Sequence, residues 1–156
     1  MPRNEQTLRD VVEQSAAVLT AAGFPKMPAR VLMALMVSEE GGLTAQELAE
    51  HLGVSAAAIS GAVRYLQTVG IVRRLARSGS RRDRYELPED AWYTAVTSKS
   101  PIYGVLAGLA ESAVGAIGDP SSAARARVDE MARFYRFLDA RLPELMDEWE
   151  TLRKSE

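Results

Sequence analysis

Between Ser55 and Tyr85 the chain carries seven arginines, at positions 64, 73, 74, 77, 81, 82 and 84, against one acid, Asp83. That segment is +6, and the remainder holds 12 bases and 20 acids, or −8, within a chain whose formal net charge is only −2. Surface hairpins ordinarily mix both signs, so a block of one sign points to a localised contact with a polyanion rather than to a solvated loop. Catalytic chemistry finds few groups to use. There is no Cys, hence no thiolate, disulfide or iron–sulfur ligand, and the single His, His51, cannot supply a His-based triad or a multi-His metal site. Glu39-Glu40 and the Glu47/Glu50 pair come without a nucleophile or base motif and read as solvated faces. His51 itself reads as a group near a helix C-terminus, able to stabilise that end or to touch a phosphate. No enzyme, cofactor or metal is implied.

Holding such a basic block in place requires a scaffold, and 156 residues at 47% apolar and 26% charged suffice for a sizeable core. The longest apolar run is the seven residues Val31 to Val37, too short to span a membrane. The amino-terminal stretch lacks the pattern of a secretory signal, which places the protein in the cytoplasm. Apolar residues at helical spacing (Leu8, Val11, Val12, Val18, Leu19, Ala22) predict a first helix ending at Gly23. A second, apolar nearly all round, covers Val31, Leu32, Leu35 and Met36 after Pro28 and is closed by Gly41-Gly42.

The following stretch is the most informative. Thr44 with Glu47 three residues later is a capping box, with Leu43 as its staple, and a short third helix ends at Gly53. Ser55 caps a fourth helix through Ile59, Val63 and Leu66 to Gly70. Leu48, Leu52, Val54, Ile59 and Ala62 fall where two crossing helices bury side chains, and Ala49 is small where they approach. Gly53 supplies a left-handed turn, so the pair reads as a helix-turn-helix. Its outward face then holds Ala57, Ser60, Gly61, Arg64 and Thr68, small enough to enter a major groove, with Ser55 at its start. Ser and Arg are able to reach base edges or phosphates. Helix propensity alone explains Ala56-Ala57-Ala58. A β-hairpin follows from Ile71 to Leu87. Its loop arginines Arg77, Arg81, Arg82 and Arg84 are suited to phosphates or a minor groove, and adjacent Arg73 and Arg74 point to opposite faces.

Beyond the hairpin, a helical block is expected from near Glu89 to about Gly115 with a break at Pro101. A last helix follows, capped by Asp119 with Pro120 at its first position. Along it Val128, Met131, Tyr135, Leu138, Leu142, Leu145, Trp149 and Leu152 step by three or four, a heptad seam interrupted by Pro143, which should bend or restart the helix. Phe134 and Phe137 widen the face. A seam this long exceeds what a small winged module covers, so the first and last helices are expected to form a homodimer. The fold class is mainly α with a small β-hairpin wing: a winged helix-turn-helix flanked by N- and C-terminal dimerisation helices. The expected boundaries are 1–24 for the first dimerisation helix, 25–90 for the DNA-binding core and 91–156 for the dimerisation and effector region.

This order of elements resembles the MarR-type winged helix-turn-helix regulators. Leu43 to Leu87 is similar to that family's DNA-binding core, with Ser78-Gly79-Ser80-Arg81-Arg82-Asp83 as the wing. Ala91-Trp92, Met131 to Leu138 and Glu148-Trp149 resemble the GbsR-like branch. The resemblance implies a homodimeric repressor on a palindromic operator in double-stranded DNA, often released by a small effector. The missing Cys sets this chain apart from thiol-sensing members. Family pockets lie between the DNA-binding lobe and the dimer helices, which makes Trp92, Tyr103, Phe134, Tyr135 and Phe137 ligand candidates. Aromatics at helical spacing are usually core, while an aromatic cage for a quaternary ammonium is one conceivable use of them. The competing reading is a winged-helix protein-interaction module that does not bind DNA.

Overall fold

Asn4 opens the first helix, α1 (Glu5–Ala21), by accepting a hydrogen bond from the Thr7 amide at 2.9 Å. In the computed structural model, which describes residues 3–39, 41–76, 79, 81–91, 93 and 100–155, two compact units meet at the boundary between residues 92 and 93. In the first unit Val12 and Ala16 of α1 are buried where it packs on α2 (Lys26–Met36). Pro28 lies in the first turn of α2, where a missing amide costs nothing. Val31, Leu32 and Leu35 lie in the core as their periodicity predicts. The helix stops at Met36, five residues short of Gly41, so the Gly pair does not cap it.

Gly42 has another use. With φ +96° it brings the chain against the Tyr85 carbonyl, where a Cβ would lie 2.9 Å from the carbonyl carbon. This close approach seats β1 (Leu43–Thr44), a two-residue strand, beside the later hairpin. The helix-turn-helix follows as α3 (Ala45–Leu52) and α4 (Ala56–Thr68). Thr44 and Glu47 form the full capping box, Gly53 takes the left-handed conformation (φ 63°, ψ 39°), and Ser55 caps α4 through the Ala58 amide. Leu48, Ile59, Leu66, Ile71 and Val31 are the largest fully buried side chains, each worth about 1.5–3 kcal/mol of burial. They tie α2, α3 and α4 into one core. The wing is β2 (Arg73–Leu75) antiparallel to β3 (Arg84–Glu86), with β1 on the other side of β3: Leu43 faces Tyr85 and Arg73 faces Glu86.

The second unit is a pair of packed helices, α5 (Ser100–Ile117) and α6 (Ala123–Lys154). Pro101 sits in the first turn of α5, which extends to Ile117, past Gly115; residues 94–99, where the expected block would run into it, lie outside the described residues. Asp119 does not cap α6. It accepts from the Ser121 amide (2.9 Å) and hydroxyl (2.8 Å), closing its own turn, and Ser122 takes the cap by accepting from Arg125. The α6 helix runs without restart through Pro143. Small residues let the pair approach closely: Ala107, Ala110 and Ala132 are buried, and the Asp139 carboxylate lies 3.0 Å from where a Cβ on Gly104 would stand. Among the described residues no helix is long and apolar enough to cross a membrane, and no group of three or more acidic, His or Cys side chains is placed to hold a metal.

Candidate nucleic-acid interface

On α4, alternation of buried and exposed positions separates two faces. Ile59, Ala62, Val63 and Leu66 point to the core, and Ala57, Ser60, Gly61, Arg64 and Thr68 point to solvent. Arg64 enters no ion pair among the described residues. Gly61 is mid-helix with an ordinary φ, and a Cβ there would meet nothing within 4 Å. Internal packing therefore does not require glycine, although Gly costs a helix interior about 0.8–1.0 kcal/mol relative to Ala. A face kept bare at that cost suits close approach by an external body.

Ser55, counted among the contact residues from sequence, accepts from the Ala58 amide at 3.2 Å, leaving its hydroxyl hydrogen and one lone pair to offer. The wing arginines differ in their burial and in their partners. Arg73 is paired with Glu86 across the β2–β3 ladder, and Arg74 with Asp83 at 2.6 Å, a contact that raises the Arg74 pKa. Arg84 turns inward: its side chain is 17% exposed, donates to the Gly42 carbonyl at 2.8 Å and lies 3.6 Å from Glu47. It thus joins the wing to the start of α3. Glu47 is held below the usual carboxylate value, first by the Thr44 amide and less by Arg84 and His51. Arg81 and Arg82 are exposed. Arg82 borders an open groove walled by Gln46, Ala49 and Glu50 of α3, by Val54 and Ala56 at the start of α4, and by Tyr85. The groove thereby sets one basic wing residue beside α3 and the amino-terminal end of α4. Arg77 lies outside the described residues.

Among the described residues three of the aromatic candidates are in ring contact and Phe137 is not. Trp92 lies outside the described residues. Tyr103 stacks on Tyr135 with centroids 5.9 Å apart, and Phe134 leans on the same Tyr135 ring. Phe134 and Phe137 are more than half exposed, so they are not core residues of this unit. Sequence reasoning passed over Arg30 and Glu13, which bridge α1, α2 and α3. The available signal was a single Arg inside an otherwise apolar helix.

Comparison with known proteins agrees with this geometry. Residues 22–83 match a MarR family model, and residues 90–152 match one described as MmpR5-like MarR family transcriptional regulators. The chain is 26% identical over 135 residues to the HTH-type transcriptional regulator MmpR5 of Mycobacterium tuberculosis, covering 86% of this chain and 82% of that protein. It is 30% identical over 93 residues to the putative HTH-type transcriptional regulator YvaV of Bacillus subtilis, covering 60% of this chain and 52% of that protein. The fold matches a crystal structure of a transcriptional regulator with a TM-score of 0.78 at 23% identity, over 93% of this chain and 99% of the other. The two MarR-type family models, one ending inside the wing at residue 83 and the other beginning at residue 90, together match most of the chain, which belongs to the MarR family of DNA-binding winged-helix transcriptional regulators.

Proposed function

We propose that this protein is a homodimeric repressor that reads a palindromic operator with α4 and clamps the flanking backbone with its wing. The observation that carries the reading is the bare outward face of α4, with Ala57, Ser60, Gly61 and Arg64, on the same unit as exposed Arg81 and Arg82. Arg64 is suited to the paired acceptors of a guanine, and the wing arginines, including Arg77, to phosphates. Support for the dimer comes from the second unit. Ile102, Val105 and Leu109 of α5, and Met131, Phe134, Leu145, Trp149 and Leu152 of α6, are exposed apolar side chains at helical spacing. Contiguous apolar surface of this kind marks an interaction face. Val11 and Val18 of α1 are exposed as well, in keeping with a dimerising role for residues 1–24 beside a 25–90 DNA-binding core.

An operator bound this way blocks polymerase by occupancy. Release by a small effector completes the reading, with Trp92, Tyr103, Phe134 and Phe137 as its aromatic contacts. Assignment to the GbsR-like branch belongs to the same proposal and rests on Ala91-Trp92, Met131 to Leu138 and Glu148-Trp149. Selection of duplexes from a randomised pool, followed by footprinting and sedimentation, tests it. A two-fold symmetric site with half-site centres about one helical turn apart is expected. Failure to enrich any duplex would leave the protein-interaction module in its place.

A further inference from the structure

The Arg30 side chain, 16% exposed on α2, is bonded to two other helices at once. Its Nε donates to both oxygens of Glu13 on α1 at 3.0 and 2.9 Å, and its Nη2 donates to Glu13 Oε1 at 2.6 Å. The same Nη2 donates to the Leu52 carbonyl at 2.9 Å. Leu52 ends α3 and immediately precedes Gly53, so one of the carbonyls left open at that helix end is filled by a charged donor at the very turn that aims α4. A cleft lined by Leu8, Val12, Leu43, His51 and Leu52 lies between α1 and α3. Among the described residues no other side-chain hydrogen bond links these two helices.

We propose that Arg30 is a positioning residue for DNA recognition: with Glu13 it fixes the helix-turn-helix to α1, so that the placement of α1 sets the attitude of the recognition helix. The opposite side of α1 carries exposed Val11 and Val18, so a partner seated there moves the same rod that holds the turn. The inference rests on α4 being the reading helix. It also adds a cause for how the dimer governs reading, since among the described residues the guanidinium is the one polar link from α1 to the turn.

The test uses the full chain and the duplex that wild type enriches from a randomised pool, with a scrambled duplex of the same composition beside it. Glu13→Gln keeps the shape of a half-exposed side chain and removes its charge. Arg30→Lys keeps charge and loses the planar fork that serves two acceptors together. In both variants the affinity ratio of selected to scrambled duplex should fall about tenfold, the size of one charge-assisted hydrogen bond. Affinity for the scrambled duplex should stay as in wild type, because phosphate contacts do not depend on the aim of α4. Glu13→Asp, which retains the charge, should recover most of the ratio. An unchanged ratio in both variants, or equal loss on both duplexes in step with a lower melting temperature, overturns the proposal. Wild type enriching no duplex overturns the DNA reading as well, and is recognised before any substitution is made.

Discussion

Gly61→Ala separates what the fold wants from what the recognition face needs. Position 61 lies inside α4, and an added methyl would meet no atom within 4 Å, so nothing in the chain opposes it. Relief of the glycine penalty should stabilise the protein by about 0.8–1.0 kcal/mol. For a chain of this size that is a rise of about 2–4 °C in melting temperature. On DNA the same methyl stands between the helix and the groove floor. If it displaces one base contact in each half-site, at about 1 kcal/mol or more apiece, affinity for the selected duplex falls about thirtyfold. Gly115 in α5 serves as the control, because it too faces open space: Gly115→Ala should stabilise without changing DNA affinity. The assays are thermal unfolding by circular dichroism and fluorescence anisotropy on a labelled duplex. A Gly61→Ala protein that is stabilised and binds as tightly as wild type would refute the idea that this face meets DNA closely.

Arg64→Ala should cost about 1–3 kcal/mol on the selected duplex and relax one base position. Arg82→Ala should instead weaken all duplexes and flatten log affinity against log salt by about 0.9 per phosphate contact, twice over in a dimer; salt titrations on selected and scrambled duplexes distinguish the two. Leu145→Asp with Leu152→Asp places charge on exposed apolar positions of α6 and should yield a folded monomer by sedimentation, whereas an unchanged dimer would put the interface elsewhere. Because Glu47 titrates below its ordinary value of 4.5, its box stabilises the fold above that pH and the contribution is lost as pH falls through the lowered value. Glu47→Gln should therefore lower the melting temperature at neutral pH and make its acid decline shallower. Gly42→Ala forces a Cβ toward the Tyr85 carbonyl at positive φ and should lower the melting temperature, read by calorimetry.

Local signals proved legible where each was self-contained. The Thr44–Glu47 box, the Gly53 turn and the Ser55 cap all need only neighbours within a few residues, and each stands where its spacing predicts. Choices between two good local candidates were harder. Asp119 and Ser122 both suit a cap, and Asp119 instead closes a turn on Ser121. Strand β1, only two residues long, has no period to detect, and its partner lies some forty residues later in the chain. The arginine pairings follow from strand register, which one-sided patterning does not fix, so the +6 of the sequence overstates the charge the wing presents outward. The seam on α6 divides in space. Tyr135, Leu138 and Leu142 are half-buried, while Met131, Leu145, Trp149 and Leu152 are exposed. The helix packed against it, α5, has 18 residues to the 32 of α6 and so cannot cover the whole stripe.

The pairing of Leu43 and Thr44 with Tyr85 and Arg84, reinforced by Arg84 on the Gly42 carbonyl, makes the reading module a closed ring of chain. Everything between those ends, both helices and the hairpin, forms through contacts near in sequence, which are quick to find. The ring itself closes only when two points far apart along the chain meet, at an entropic cost that grows slowly with loop length. The helix-turn-helix is therefore expected to assemble before the ring closes. Substitutions at Gly42 or Arg84 should accordingly act mainly by hastening unfolding, with little effect on the folding rate.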